Sequence, residues 1–473
     1  MLDNLIIMRQ EIMLIVIVLI LLIAEIFLDK NRSRMVMIAT FLFAVHTIVG
    51  FLPAKFGFIF GEMYKNTEMI NFMKNILNVG VLVVLLQSAE WIKTSEALKN
   101  RATEFYIIMF STLIGMFYML SSGHFIMFYI GIELATIPLA ALVAYDMYKA
   151  KSAEAGIKLI LTSSVASGIM IFGLSMIYGS TGTMYYSEMP NILSVSPIII
   201  LALVFFLSGI AFKTAIVPFH FWAPDVYEGA PISVTSYLAT ISKASSVFIL
   251  VILLFTVFKN LSDIWLPLFY GVSILTIMIG NFFAIRQKNL KRLLAFSGIV
   301  QAGFILLGIL GGDAEGVTSV LYFMVIYIFT TLAIFGVLQA VYNQTGKEFR
   351  DDLKGLYRTN PKLSLIILLA LFSLVGIPPV AGFFGKFFLI RAAASQGYYL
   401  LIFIAALNLI ISLYYYMLII KEMFLLKSDN PIKPFKSDWY MRFGLIINTI
   451  AILLLGMLSP VYEYVLELGK SLF

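Results

Sequence analysis

The chain has 473 residues, 61% of them hydrophobic and 12% charged, with a formal charge of +7, no cysteine and three histidines. Soluble folds run nearer half apolar and a quarter charged, so this composition excludes a single water-soluble globule and makes lipid the solvent. The missing thiols exclude iron–sulfur clusters, covalently attached haem and disulfides, and His46, His124 and His220 are too scattered for haem ligation. Any redox chemistry that the chain serves therefore belongs to another polypeptide.

Apolar stretches of about twenty residues recur from end to end, each able to cross a hydrocarbon layer of roughly 30 Å at about 1.5 Å per residue. Windows of about nineteen residues give roughly fourteen spans. They lie near 12–29, 35–53, 71–92, 104–121, 124–145, 158–179, 196–218, 234–257, 264–285, 293–311, 316–341, 363–390, 398–420 and 443–464. The fold class is an all-α polytopic membrane protein. The first stretch, Ile12 to Leu28, is too long for a secretory signal, carries Glu25 and runs into Asp29, Lys30 and Arg32, so it reads as a retained helix.

Of the 33 Lys and Arg residues, 23 fall in the odd-numbered loops. Only Arg9, Lys55, Lys65, Lys74, Lys259 and Lys470 fall in the even loops and termini. The positive-inside rule then puts the odd loops in the cytoplasm and both ends outside. The net charge is thus a topology signal and not a nucleic-acid footprint. Four basic residues remain inside spans: Lys213, Lys243, Lys386 and Arg391. An intramembrane charge costs about 2.5–3.5 kcal/mol on insertion scales and persists where it faces a partner or a hydrated cavity. Arg391, near an outer end, reads as snorkelling; Glu25, Glu90 and Glu104 sit near span ends, where interfacial water solvates them.

The seventh span runs Phe212-Lys213-Thr214-Ala215-Ile216-Val217-Pro218, and the twelfth holds Gly376-Ile377-Pro378-Pro379 ahead of Gly382, Gly385 and Lys386. Proline removes an amide donor and clashes with the preceding turn, so both are expected to be broken helices. An offset of five spans places them in opposite orientations. That pattern suggests two inverted five-helix repeats, spans 4–8 over residues 103–258 and spans 9–13 over residues 263–422. Residues 1–102 would hold spans 1–3 and residues 440–473 the last span, all within one membrane domain. Two unrelated proline kinks are the plainer reading.

Glu133, in Tyr129-Ile130-Gly131-Ile132-Glu133-Leu134-Ala135, has no other charge in its helix. Alone in lipid it would protonate, and beside a lysine it would ionise, so a Glu and a Lys of variable spacing form a proton switch. Lys243 is flanked by Ser242, Ser245 and Ser246, which can hold water. Lysine suits a relay because burial lowers its pKa readily, which arginine's resists. Against this stands the reading that each charge merely joins two helices. The loop from Asp225 to Glu228 contains no basic residue and is either a proton entrance toward Lys243 or a proline-rich turn that fixes one helix against the next.

The run from Gly209 to Pro231, with Lys213, Pro218, His220 and the phrase Pro224-Asp225-Val226-Tyr227-Glu228-Gly229-Ala230-Pro231, continues to Ser242-Lys243. Together with Glu133, the segment Asn289 to Ser297 and the stretch Pro378 to Lys386, it resembles the antiporter-like membrane subunits of proton-pumping NADH:quinone oxidoreductase, respiratory complex I. The phrase from Pro224 to Pro231 is most similar to the N-type members. The likeness covers nearly the whole chain, and its central run is highly specific. It implies Glu133 and Lys213 as the switch pair, Lys243 as the central relay and Lys386 as the connecting lysine of a second half-channel, with His220, Asp225, Glu228 and Gln301 as accessory candidates. Lysine at 386 fits N- and L-type members, unlike the M-type, and the lateral helix of the L-type is missing. Gln301 departs from the pattern, because many relatives have histidine there and glutamine cannot titrate.

The resemblance implies a translocase subunit without a redox centre or metal of its own. NADH, flavin, iron–sulfur clusters and quinone would belong to partner subunits, and M-, K- and L-type subunits and lipid would be its neighbours. Two rivals share the fold and the lysines, a cation/proton antiporter subunit of the multi-subunit type and a membrane-arm subunit of a hydrogenase. The wording of Pro224 to Pro231 and the number of spans favour complex I. A non-transporting scaffold would gain by losing four titratable groups at mid-membrane.

Overall fold

A computed structural model describes residues 6–27 and 31–473; Leu28, Asp29 and Lys30, used above as the end and flank of the first span, lie outside the described residues. Twelve of the fourteen windows coincide with apolar helices of 18 to 32 residues. These are α1 (Arg9–Phe27), α2 (Arg32–Gly50), α3 (Glu68–Thr94), α4 (Ala102–Leu120), α5 (Phe125–Val143), α6 (Ala150–Thr181), α7a (Pro197–Thr214), α8 (Ile232–Val257), α9 (Ser262–Ala284), α10 (Leu290–Ile309), α11 (Ala314–Thr345) and α13 (Tyr399–Phe424). The twelfth window is split into α12a (Pro361–Val375) and α12b (Ala381–Ser395).

Burial sorts these helices. α8 and α11 are buried along their whole apolar windows, while α1, α6, α9 and α13 leave most of theirs open, as lipid-facing helices must. The α8–α11 pair is the axis of the bundle. The loop after α2 forms a small hairpin, β1 (Gly57–Ile59) against β2 (Tyr64–Asn66), which the hydropathy windows do not reveal.

The last window needs correction. It is not one straight helix over 443–464: α14 (Trp439–Leu454) stops, and the chain turns by 83° into α15 (Ser459–Lys470). Gly456 lies against the backbone of Ala381, where a Cβ would come within 2.8 Å, and Pro460 can open a helix but not continue one. The freed Leu455 carbonyl accepts from the Tyr322 hydroxyl at 2.6 Å. α15 is amphipathic, burying Val465, Leu468 and Gly469 and exposing Glu463, Glu467 and Lys470.

Lys74 also needs correction, since it is no loop residue. It lies in the second turn of α3 at 1% exposure and pairs with Glu11 of α1 at 2.5 Å. Its charge is held by a partner inside the bundle and does not report the membrane face.

Candidate proton-transfer site

The break after α7a is built by its last residues. Ala215 takes a left-handed backbone conformation (φ 58°), the Val217–Pro218 peptide is cis, and the Phe212 carbonyl accepts from Ala215 N at 3.0 Å and Trp222 Nε1 at 2.8 Å. The chain resumes as α7b (Trp222–Gly229). Lys213 stands in the last turn of α7a, and its Nζ donates to the Ile132 carbonyl of α5 at 3.2 Å. The neighbouring Glu133 is half-buried, and its Oε1 has no hydrogen-bond partner. No Glu133–Lys213 ion pair closer than 4.0 Å is present among the described residues. Lys213 is thus bonded to the carbonyl of the residue before Glu133 and not to its carboxylate.

Lys243 is 2% exposed and follows a π-helical turn, Leu238–Ser242, that interrupts α8. Its Nζ donates to the Gly298 carbonyl of α10 at 2.8 Å. Gly298 makes the notch that admits it: a Cβ there would lie 3.1 Å from Lys243 Nζ and 3.3 Å from the Tyr327 hydroxyl. The Ser245 and Ser246 hydroxyls do not serve the lysine as donors, because both donate to the Ser242 carbonyl, at 2.9 and 2.8 Å. Such back-bonding is the ordinary use of serine within a helix.

Along α10 the polar groups continue. Ser297 Oγ is hydrogen-bonded to the Tyr416 hydroxyl of α13, and the Gln301 side chain also approaches that hydroxyl. Gln301 Nε2 donates to the Leu374 carbonyl at 3.4 Å, and its Oε1 is buried without a partner. Lys386 of α12b is 3% exposed, donates to the Leu374 and Val375 carbonyls at 2.5 and 3.3 Å, and sits 4.5 Å from the Phe304 ring centre. Those carbonyls end α12a, where Gly376 (φ 92°) and the cis Pro378–Pro379 peptide stop the helix. A helix C-terminus carries partial negative charge and free carbonyls, so the ammonium caps the break. Lys243 of α8, Gln301 of α10 and Lys386 of α12b are thus gathered around α10 and the α12 break. Tyr327, Tyr416, Ser297 and Phe304 belong with them, although of these only Ser297, in the segment Asn289 to Ser297, stood out in the sequence.

The accessory candidates lie apart. Asp225 is paired with Lys158 at 2.8 Å and Arg292 at 2.6 Å, and Glu228 with Lys151 at 3.0 Å and Arg292 at 3.1 Å. The acidic segment therefore clamps α7b to α6 and α10 with cations supplied by those helices. Burial opposes the anions, but the hydrogen bonds from Lys158, Lys151 and Arg292 outweigh it and hold both carboxyls below their usual range. His220 is buried with Nδ1 unpartnered, its ring 4.3 Å from that of Phe221. His124 caps α5, accepting from Ile126 N at 3.1 Å. Arg391 pairs with Glu315 at 3.0 Å.

Beside the clamp, a cavity of about 260 Å³ is lined by Asp146, Lys149, Glu228, Lys291, Gln339 and Glu348, among others. Gln339 Oε1 accepts from Ser233 Oγ at 2.9 Å. Ser236 follows on α8 with its hydroxyl unpartnered, and Thr240 donates to the Ser236 carbonyl at 2.6 Å, one turn from Lys243.

Two broken helices, each carrying a lysine bonded to backbone carbonyls, beside a central lysine on an interrupted helix, define an antiporter-like membrane transport subunit. Residues 122–412 match the family described as NADH:quinone oxidoreductase/Mrp antiporter, TM. NADH-quinone oxidoreductase subunit N of Phocaeicola vulgatus is 45% identical over 96% of this chain and 97% of its own, and that of Azobacteroides pseudotrichonymphae is 46% identical over 98% and 97%. A chain of respiratory complex I from Thermus thermophilus superposes with a TM-score of 0.79 at 27% identity, covering 96% of this chain and 98% of that one. A chain of the Mrp complex from Dietzia shares the fold, with a TM-score of 0.84 at 18% identity over 100% and 97%. The chain belongs to the NADH-quinone oxidoreductase subunit N family.

Proposed function

We propose that this chain is the proton-translocating N-type membrane subunit of a bacterial NADH:quinone oxidoreductase, moving protons while NADH is oxidised and quinone reduced in partner subunits. The observation that carries this reading is the set Lys213, Lys243 and Lys386. Each donates to a backbone carbonyl, and none forms an ion pair among the described residues. A lysine kept for helix adhesion is stabilised by a carboxylate; one held by carbonyls alone can give up its proton without leaving a buried anion behind.

In this reading Glu133 and Lys213 are the switch, Lys243 is the relay, and Lys386 completes the path across the α12 break, with Gln301 and Tyr416 carrying the proton between the last two as hydrogen-bonded groups. Protons reach Lys243 from the cavity beside the α7b clamp by way of Gln339, Ser233 and Ser236. Asp225 and Glu228 shape that entrance as clamp residues, and His220 braces the turn into α7b. Spans 4–8 and 9–13 act as inverted repeats, each contributing one broken helix. The subunit lies in the inner membrane with both termini outside, among M-, K- and L-type neighbours, and carries no redox cofactor.

The test is NADH-driven acidification of inside-out vesicles containing the Lys213→Arg complex, with complex content measured in parallel. Loss of transport at normal content is expected. Near-normal transport would remove Lys213 from the path.

A further inference from the structure

A cavity of about 470 Å³ lies at the end of the bundle that carries the hairpin, apart from the residues of the lysine path. Five parts of the chain wall it: Phe58 and Lys65 of the hairpin, Glu68 in the first turn of α3, Tyr186 of the connection after α6, Ile252 near the end of α8, and Leu472 beyond α15. The cavity opens to the surface, because Phe58, Glu62 and Glu68 on its wall are all exposed.

Lys65 is the one cation on that wall among the described residues. Its Nζ has no hydrogen-bond or ion-pair partner among them and stands 5.7 Å from the Tyr186 ring centre. Lys65 is opposite Phe58 in the hairpin register, so the cation and the apolar ring share one face. The surroundings are fixed before any ligand arrives. Lys65 N donates to the Ser121 carbonyl at 2.8 Å, and the Tyr186 hydroxyl is hydrogen-bonded to Ser122 Oγ at 3.1 Å. Burial without a counter-charge lowers the Lys65 amine to about 8, and an anion brought beside it would favour the charged form again.

The two carboxylates on the wall have no cation partner among the described residues. Glu62 Oε2 accepts from Ser187 Oγ at 3.2 Å, and Glu68 Oε1 accepts from the Tyr464 hydroxyl of α15 at 3.3 Å. A carboxylate has about four lone-pair sites, so each can accept from a further donor. A half-buried cation with two exposed carboxylates complements a headgroup that carries both a phosphate and an ammonium. A headgroup that is only anionic would meet the carboxylates as like charges. Phe56, Phe58 and Phe60 are all exposed on the hairpin segment, and so dense an apolar patch marks a contact with membrane or protein rather than with water.

We propose that this cavity binds a zwitterionic aminophospholipid, with its phosphate on Lys65, its ammonium toward Glu62 and Glu68, and an acyl chain along Phe58, Ile252 and Leu472. Pockets of about 300–1,000 Å³ enclose small-molecule ligands, so the cavity takes the headgroup, the glycerol and the start of a chain while the remainder stays in the bilayer. The bound lipid would join the hairpin, the end of α8 and the residues after α15, three segments distant in sequence.

The experiment places the whole complex in nanodiscs of phosphatidylethanolamine and phosphatidylglycerol. A trace of phosphatidylethanolamine with a photoreactive acyl chain is included, and labelled peptides are mapped by mass spectrometry. Labelling of the peptides that hold Phe58, Ile252 and Leu472 is expected. Excess phosphatidylethanolamine should compete more strongly than phosphatidylglycerol, and glycerophosphoethanolamine, which has the headgroup and no chains, should not compete. Lys65→Met is expected to reduce this labelling several-fold at equal complex content, and Lys65→Arg to keep it. Glu62→Gln/Glu68→Gln, at two exposed positions, is expected to let phosphatidylglycerol compete as well as phosphatidylethanolamine. No labelling of these peptides, as when another subunit fills the cavity, would overturn the site. So would undiminished labelling in Lys65→Met, equal competition by the two lipids in the unmodified complex, or competition by glycerophosphoethanolamine.

Discussion

Gln301 and Lys386 converge on one acceptor, the Leu374 carbonyl, at 3.4 and 2.5 Å. Two donors from different helices thus meet at the broken end of α12a, and the state of one is felt by the other through a shared oxygen. Gln301→Leu removes one donor and is expected to slow proton transport several-fold while complex content stays normal. Gln301→His is expected to keep transport and add a titration near neutral pH, where imidazole changes charge. The pH profile of NADH-driven pumping in the two variants checks both.

Lys213→Ala and Lys243→Ala are each expected to abolish pumping in assembled complexes, with Lys213→Arg no better. Driving one charge across about 100 mV takes about 2.3 kcal/mol, the size of a two-unit change in pKa at about 1.36 kcal/mol per unit. A lysine can swing by that much and an arginine cannot. Vesicle acidification against complex content separates relay from adhesion.

Gly298 and Gly382 are expected to fail in different ways. At Gly298 a methyl group meets only side-chain tips, Lys243 Nζ and the Tyr327 hydroxyl, so Gly298→Ala assembles but transports slowly. At Gly382 a Cβ would lie 1.8 Å from the Ser373 carbonyl oxygen, which belongs to the backbone, so Gly382→Ala disrupts the α12 break and lowers complex content. Immunodetection of the assembled complex beside its turnover distinguishes the two.

The clamp on α7b is expected to weaken in acid. Asp225 and Glu228 are held below their usual range, so the stability they add is present above the unfolded carboxyl pKa and is lost as pH falls through their lower folded values. Both pairs are partly solvated, which limits each to about 0.2–1 kcal/mol. Asp225→Asn is expected to raise proteolytic cleavage near Gly229 at neutral pH modestly, with the difference from the unmodified protein closing at low pH.

Hydropathy alone located the spans, because lipid leaves helices no alternative and the apolar windows are long. It also exposed the two breaks, since Pro218 and Pro378-Pro379 are local signals. It misplaced Lys74, because a lysine seven residues into a helix looks like a loop residue until its partner Glu11, 63 positions earlier, is seen beside it. The turn at Leu455 to Leu458 was invisible for a similar reason: what bends the chain is the close approach of Gly456 to Ala381, a contact between distant segments. At the site, the residue types that bear charge were legible. The hydroxyls of Tyr327 and Tyr416 were not, because tyrosine in a membrane helix has too many ordinary uses.

The π-helical turn before Lys243 acts as a phase shift in α8. One residue occupies about 100° of an α-helical turn, so the extra residue rotates everything beyond it by that angle relative to an unbroken helix. Ser233 and Ser236 on one side and Lys243 on the other therefore keep separate angular settings, one toward Gln339 and the cavity it lines, the other toward Gly298. Deleting a single residue between Leu238 and Ser242 would straighten the helix at little cost in hydrophobicity, yet turn the lysine away from α10. A helix otherwise buried for stability thus carries, in five residues, the adjustment that lets its two halves serve two different neighbours.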